Sequence, residues 1–321
     1  MRKLCLAVVM LAMGVVHAAT RSWTGLAGDN EWNTPGNWSG ETLPTYGDTV
    51  RFTNDVPISV RLNKTQPFGK IWRFEGKDVT FGSDGSRLTH YFSSSPTCEV
   101  YVVAGTTVTT SNTITMYNRS PLAKTGGGIF KILGHYHVDA SKRKTSSLDN
   151  LPCLDIREGE FQSMSYDAAC GAYLTNITNI FVRAGASLSH KGYNSFSDYA
   201  VFHLEKGAQM HLNTSGSQNK ASAICGEGDL TLTANTTVEL DFIPSSREFS
   251  GIAEFSGTVS GGTLSFVDST KADPLNRKFI VGSPNSLKDT KVVDNIGCLA
   301  FAAQVGLFRF NSLTIPEGGV L

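Results

Sequence analysis

Along most of the chain, apolar and polar residues alternate in short runs, and a glycine separates one run from the next at a recurring place. Alternation with a period of two marks strands, because successive side chains of an extended backbone point to opposite faces. An eleven-residue template captures the pattern, with apolar residues mostly at positions one and three, Gly at six, and apolar residues again at nine and eleven. Ile71–Phe81 (IWRFEGKDVTF), Val100–Thr110 (VYVVAGTTVTT), Ile129–Asp139 (IFKILGHYHVD) and Leu154–Met164 (LDIREGEFQSM) follow it. So do Ile180–His190 (IFVRAGASLSH), Phe202–Leu212 (FHLEKGAQMHL) and Ala223–Thr233 (AICGEGDLTLT). Ser256–Phe266 and Val292–Ala302 fit less well, and Leu313–Leu321 stops at position nine.

The template glycines are Gly76, Gly105, Gly134, Gly159, Gly185, Gly207, Gly228, Gly261, Gly297 and Gly318, at intervals of 29, 29, 25, 26, 22, 21, 33, 36 and 21 residues. Repeats of that length belong to solenoids, propellers or arrays. A propeller blade needs about 40–45 residues and four strands, so these units are mostly too short for one. A β-sandwich gives no reason for Gly to recur at one template position. The pattern therefore predicts an all-β fold, a β-solenoid in which each coil turns at a glycine and strands pair with the coils above and below. About ten coils at a spacing of about 4.8 Å give a rod of roughly 45–50 Å. The inward slots fall to Ile71, Val79, Val100, Val108, Ile129, Leu154, Ile156, Ile180, Val182, Leu188, Phe202, Leu204, Met210, Leu232 and Leu264.

Residues 19–62 break the pattern. They hold Trp23, Trp32 and Trp38, three of the four tryptophans, among Gly25, Gly28, Pro35, Gly36, Gly40 and Pro44. A strand stack has open edges, which must be covered, so this segment is expected to cap the first end, with Asp48–Phe52 as the first strand on the stack. Residues 63–321 form the repeats. The sequence stops inside a template unit, and it is expected to be a fragment truncated at its C-terminal side. Residues 1–18 have a basic start (Arg2, Lys3), an apolar run from Leu4 to Val16 and small Ala18 and Ala19. That is the layout of a secretory signal peptide, too short to span a bilayer.

Composition narrows the functions. Lys plus Arg and Asp plus Glu both number 28, giving zero net charge, so long-range attraction to nucleic acid or an anionic membrane is not expected. Charged residues make up 17%, with 32 Gly, 18 Phe and 9 Tyr, which suits short strands and tight turns rather than helical bundles or disorder. Beyond Cys5 the chain keeps Cys98, Cys153, Cys170, Cys225 and Cys298, with no CxxC pair. Buried thiols with at most one bridge are expected.

The opening TRSWTGLAGDNEWNTPGNWSGETLPTYGDTVRF resembles the start of many secreted bacterial repeat proteins, through Trp23 to Gly25, Trp32, Asn37–Trp38, Pro44 and Asp48 to Val50. GEGDLTLTANTTVELDF at Gly226–Phe242, followed by FSGTVSGGTLSF at Phe255–Phe266, resembles the autotransporter-associated β-strand repeat. The resemblance implies a right-handed β-helical passenger or surface protein of a bacterium. An autotransporter would also carry a C-terminal membrane barrel, which a fragment could have lost.

No residue set is assigned a catalytic or metal role, no cofactor is expected, and the ligand stays unknown. His135 and His137 (HYH) have the spacing of a metal pair but lack a third ligand, and His203 and His211 are expected to face solvent. Asp155, Glu158 and Glu160, and Asp229, Glu239 and Asp241, are acid clusters; Glu75, Glu158 and Glu227 share template position five. A β-helix lyase or glycosidase would need acids at equivalent outward positions on adjacent coils, and solvated charges beside turns account for these better. Lys142–Lys144 is a basic run read as a loop, and Gly126–Gly128 introduces a strand rather than a phosphate-binding helix. Neither a G-x-S-x-G, an HExxH, a Walker A nor an EF-hand motif is present. The expected function is that of a secreted or cell-surface solenoid with a structural, adhesive or glycan-contacting role and extracellular glycans as partners. The alternatives are a carbohydrate-active β-helix enzyme, and a sugar platform formed by Trp23, Trp32 and Trp38.

Overall fold

The computed structural model describes residues 18–67, 70–83, 87–90, 98–116, 121–138, 154–164, 174–175, 177–192, 200–213, 218–242, 251–267, 277–296, 298–302 and 307–315. Residues 1–17, the Lys142–Lys144 run, Cys153, Cys170, Gly297 and Gly318 lie outside the described residues. The fold is all-β, and apart from two 3-10 turns at Pro35–Asn37 and Ser39–Glu41 it is built of parallel strands stacked as a solenoid. Among the described residues no helix is long and apolar enough to cross a membrane.

Each coil lays one strand on a first sheet, turns, lays a second strand on a second sheet, and in most coils lays a third. The first sheet has twelve strands, from Thr20–Ser22 and Thr49–Phe52 through Ile180's strand Asn179–Val182 to Leu299–Phe301. Eleven intervals of about 4.8 Å make it about 53 Å long. A template with only two strands per unit did not anticipate the third face, where Thr113–Met116 lies between Arg87–His90 and Tyr136–Val138.

The core follows from the pleat. In Ile71–Phe74 the buried residues are Trp72 and Phe74, and in Ile129–Ile132 they are Phe130 and Ile132. Ile71 and Ile129 are therefore only partly buried, one position out of phase with the sequence template. The other thirteen inward assignments are buried. Pairing in register aligns like with like: Trp72 pairs with Val100, and Phe74 with Val102.

Glycine marks the turn between the first and second sheets because some coils pass too close for a Cβ there and others turn with a positive φ. A Cβ on Gly76 would strike Asn54 backbone, one on Gly159 the carbonyls of Gly126 and Gly128, and one on Gly228 the Glu205 carbonyl. Gly159, Gly185 and Gly207 also have φ of 64°, 76° and 83°, which L side chains adopt with strain. Gly76, Gly105, Gly159, Gly185, Gly207 and Gly228 form one column at this corner, between paired strands. Gly134 and Gly261 do not belong to it. Gly134 follows the second-sheet strand Ile129–Ile132, and Gly261 lies at the bulge inside Val259–Phe266. The corner glycines of those coils are Gly126–Gly128 and Gly257, whose Cβ would strike the Gly228 carbonyl.

The stack begins earlier than the sequence boundary at residue 62 suggests. Thr20–Ser22 pairs outside Thr49–Phe52, and Ile58–Leu62 opens the second sheet. Between them the tryptophan segment folds across the end. Trp32 stacks on Trp72 at 5.3 Å, Trp38 meets Trp32 edge-on at 4.6 Å, and Trp23 meets Trp38 edge-on at 5.0 Å. Asn37 is fully buried; its Nδ2 donates to Asp29 Oδ1 (2.6 Å) and the Glu31 carbonyl (3.0 Å), and its Oδ1 accepts from Ala27 N. Asp48 accepts from Ala19 N at 2.9 Å and Thr45 N at 2.8 Å. Trp23, Trp32 and Trp38 are 9%, 0% and 2% exposed. Indoles so deeply buried offer no face to a sugar, so the platform alternative is corrected to a capping role.

Candidate functional site

The outer faces of the sheets are where side chains are free to meet other molecules. Strand register sorts them into columns. On the first sheet one outward column runs Asp155, Phe181, His203, Cys225. The rings of Phe181 and His203 lie 4.2 Å apart and within 9° of parallel. They are held so because neighbouring in-register side chains stand about 4.8 Å apart, close to the thickness of stacked rings.

Charges brace this pair. Asp155 is buried on the column, with Arg157 Nε at 2.8 Å and Arg183 Nε at 2.7 Å from its two oxygens. Arg183 also reaches Glu205 at 2.9 Å and lies over the Phe181 ring, 4.6 Å from its centroid. Its several acceptors raise its pKa, first through the Asp155 hydrogen bond. His203 Nε2 lies 3.0 Å from Asn179 Oδ1. An amide oxygen only accepts, so Nε2 carries the proton and Nδ1 is left as an acceptor. Burial, then the Arg183 charge, lower the His203 pKa to about 4, so the ring is neutral at ordinary pH.

Beyond His203 the column steps down to the small side chain of Cys225. The step opens a shallow depression of about 330 Å³, lined by Phe181, Arg183, His203, Glu205, Cys225 and Glu227 among others. Burial raises the Cys225 thiol to about 11, against a smaller lowering by a hydrogen bond with the Glu254 backbone. It therefore stays protonated and does not form a thiolate–imidazolium pair with His203.

The second sheet presents a different outer face. One column reads Ser59, Thr80, Thr109, Lys131, Gln162, Ser189, His211, Thr231, Ser260 across nine consecutive strands. Every member is polar, and none is buried.

The residues singled out from sequence fall as follows. His211 is exposed on the polar column, as expected, whereas His203 is half-buried under its stack. Tyr136, between His135 and His137, is the buried member of its strand. The acids do not form one cluster. Glu75 pairs with Arg51 and Arg73, Glu158 accepts from Gly126 N at 2.9 Å, and Glu205 accepts from Ala184 N at 3.0 Å. Corner carboxylates thus satisfy backbone donors of the preceding coil. Glu227 is exposed at the depression. Glu239 meets Lys220 at 3.7 Å, Asp229 accepts from Thr258, and Asp241 is fully buried. Among the described residues no three His, Cys, Asp or Glu are grouped to hold a metal. Cys98 and Cys298 are buried, and Cys225 is partly buried.

Sequence reasoning missed the Phe181–His203 ledge. Its signal was an aromatic pair at equivalent outward template positions, in IFVRAG and FHLEKG. Comparison with protein-family models, with curated proteins and with solved structures finds no match, so the geometry of the faces alone guides the functional reading.

Proposed function

We propose that this chain is a secreted or cell-surface solenoid that contacts extracellular glycans along its outer sheets, in an adhesive or structural role. The supporting observation is the polar column from Ser59 to Ser260. A straight row of hydroxyl, amide, amine and imidazole groups repeats at every strand, which suits many weak hydrogen bonds to an extended hydroxyl-rich polymer. Export is supported by the amino-terminal sequence layout. The autotransporter-like repeat motifs agree with a surface role.

Cosedimentation with insoluble polysaccharides tests the reading. Retention is expected, and it should fall at least several-fold when Gln162, His211 and Thr231 are changed together to Asp, which sets a row of like charges against the polymer. Equal retention by parent and variant would remove the polar column from the account.

A further inference from the structure

We infer that the depression beside His203 is a binding subsite for one uncharged pyranose ring. This rests on the glycan-contacting reading above and assigns it a second, sequence-local site on the other sheet.

Shape comes first. Phe181 and His203 form a two-ring stack, and the next column position is occupied only by Cys225. The far face of the imidazole is therefore the wall of a step whose floor is a small side chain. A flat ligand edge can lie on that wall and extend the stack by one layer. A volume of about 330 Å³ is at the lower limit of small-ligand sites, enough for one ring and not for a larger planar cofactor.

Chemistry narrows the ligand. Arg183 and Lys206 contribute two positive charges, Glu205 and Glu227 two negative ones, so the lining is balanced. A balanced rim favours neither an anion nor a cation. It offers both donors and acceptors, which match hydroxyl groups because each hydroxyl can donate and accept. A pyranose has this combination, an apolar C–H face for the ring and hydroxyls around its edge.

The site is also pre-formed. Asp155 and Glu205 fix Arg183, and Asn179 fixes His203. A held guanidinium and a held ring lose little freedom when a ligand arrives.

Saturation-transfer NMR of the full chain with laminarin, mannan, xylan and dextran, and with polygalacturonate as a charged comparison, tests the inference. Binding to at least one neutral polymer is expected, with weaker or no binding to polygalacturonate. Cys225→Phe should fill the step and weaken binding at least tenfold while leaving the thermal midpoint near that of the parent. His203→Ala should weaken it similarly, and His203→Phe should keep part of it. Preference for polygalacturonate would overturn the assignment of an uncharged sugar. Unchanged binding by folded Cys225→Phe would overturn the subsite while leaving the polar column standing. No binding to any neutral polymer by the parent would overturn both.

Discussion

Lys124 and His190 occupy inward slots that a hydrophobic pattern assigns to apolar residues. Lys124 is fully buried between Val100 and Ile156, and its Nζ donates to the carbonyls of Thr125, Gly126 and Glu158 at 2.9, 2.7 and 3.0 Å. Burial lowers its pKa to about 8, so at neutral pH it keeps all three donors. The ammonium fastens the tight Gly126–Gly128 corner to the next coil. Lys124→Met should cost about 2–3 kcal/mol, because buried carbonyls lose a charged donor; urea unfolding at pH 7 checks this. His190 is buried between Ser163 and Leu212, and burial lowers its pKa to about 3. The folded chain thus holds this ring neutral, while the unfolded chain protonates it near pH 6.5. Its contribution is complete above pH 6.5 and is lost as pH falls toward 3, about 2–3 kcal/mol by pH 4.5. Thermal midpoints measured between pH 7.5 and 4.5 should fall, and His190→Leu should flatten that fall. Neither residue was legible from the chain, since inward slots were recognised only by apolarity.

At the scale of elements, the corners were read correctly at Gly76, Gly105, Gly159, Gly185, Gly207 and Gly228, and misread in the coils of Gly134 and Gly261, where a later glycine took the template position. Gly76, Gly159 and Gly207 announce the first turn plainly. In the coil with Gly126–Gly128 and Gly134, both turns demand close approach, and the spacing cannot say which glycine serves which turn. The strand phase of Ile71 and Ile129 slipped by one residue for the same reason: IWRF and IFKI are apolar at both alternating sets, so the pattern loses its parity. Corner glycines should also differ in sensitivity. Gly207→Ala meets only a strained φ, with the nearest atom at 3.9 Å, whereas Gly159→Ala also strikes two carbonyls of the coil below. The first should cost about 1–2 kcal/mol, and the second clearly more, measured as shifts in the urea midpoint. The depression at Cys225 was illegible because it depends on which outward residues become neighbours, which only register decides.

For the whole molecule, the solenoid and its tryptophan cap were both visible in the chain, while the third face was not. All four tryptophans are buried, Trp72 included. Emission should be blue-shifted and resist acrylamide quenching, and exposure should accompany loss of the cap. Asn37→Ala removes three hydrogen bonds inside that cap and should cost about 1–3 kcal/mol, with quenching increased before the bulk of the β signal is lost. The proposed export makes a separate prediction: protein recovered outside the producing cell should begin at Ala19, which amino-terminal sequencing checks.

The rings of the cap continue into the first coils, with Phe52 on Phe74 at 5.0 Å and Phe81 edge-on to Phe52 at 5.7 Å. Toward the other end ring contacts persist but their burial falls: Phe266 and Phe279 are buried, whereas Phe301, Phe308 and Phe310 are only partly covered. Such a gradient gives the rod a sense of direction. Pulled from both ends, it should unspool from the side whose rings are only partly covered, leaving the indole-sealed coils as the last unit to let go.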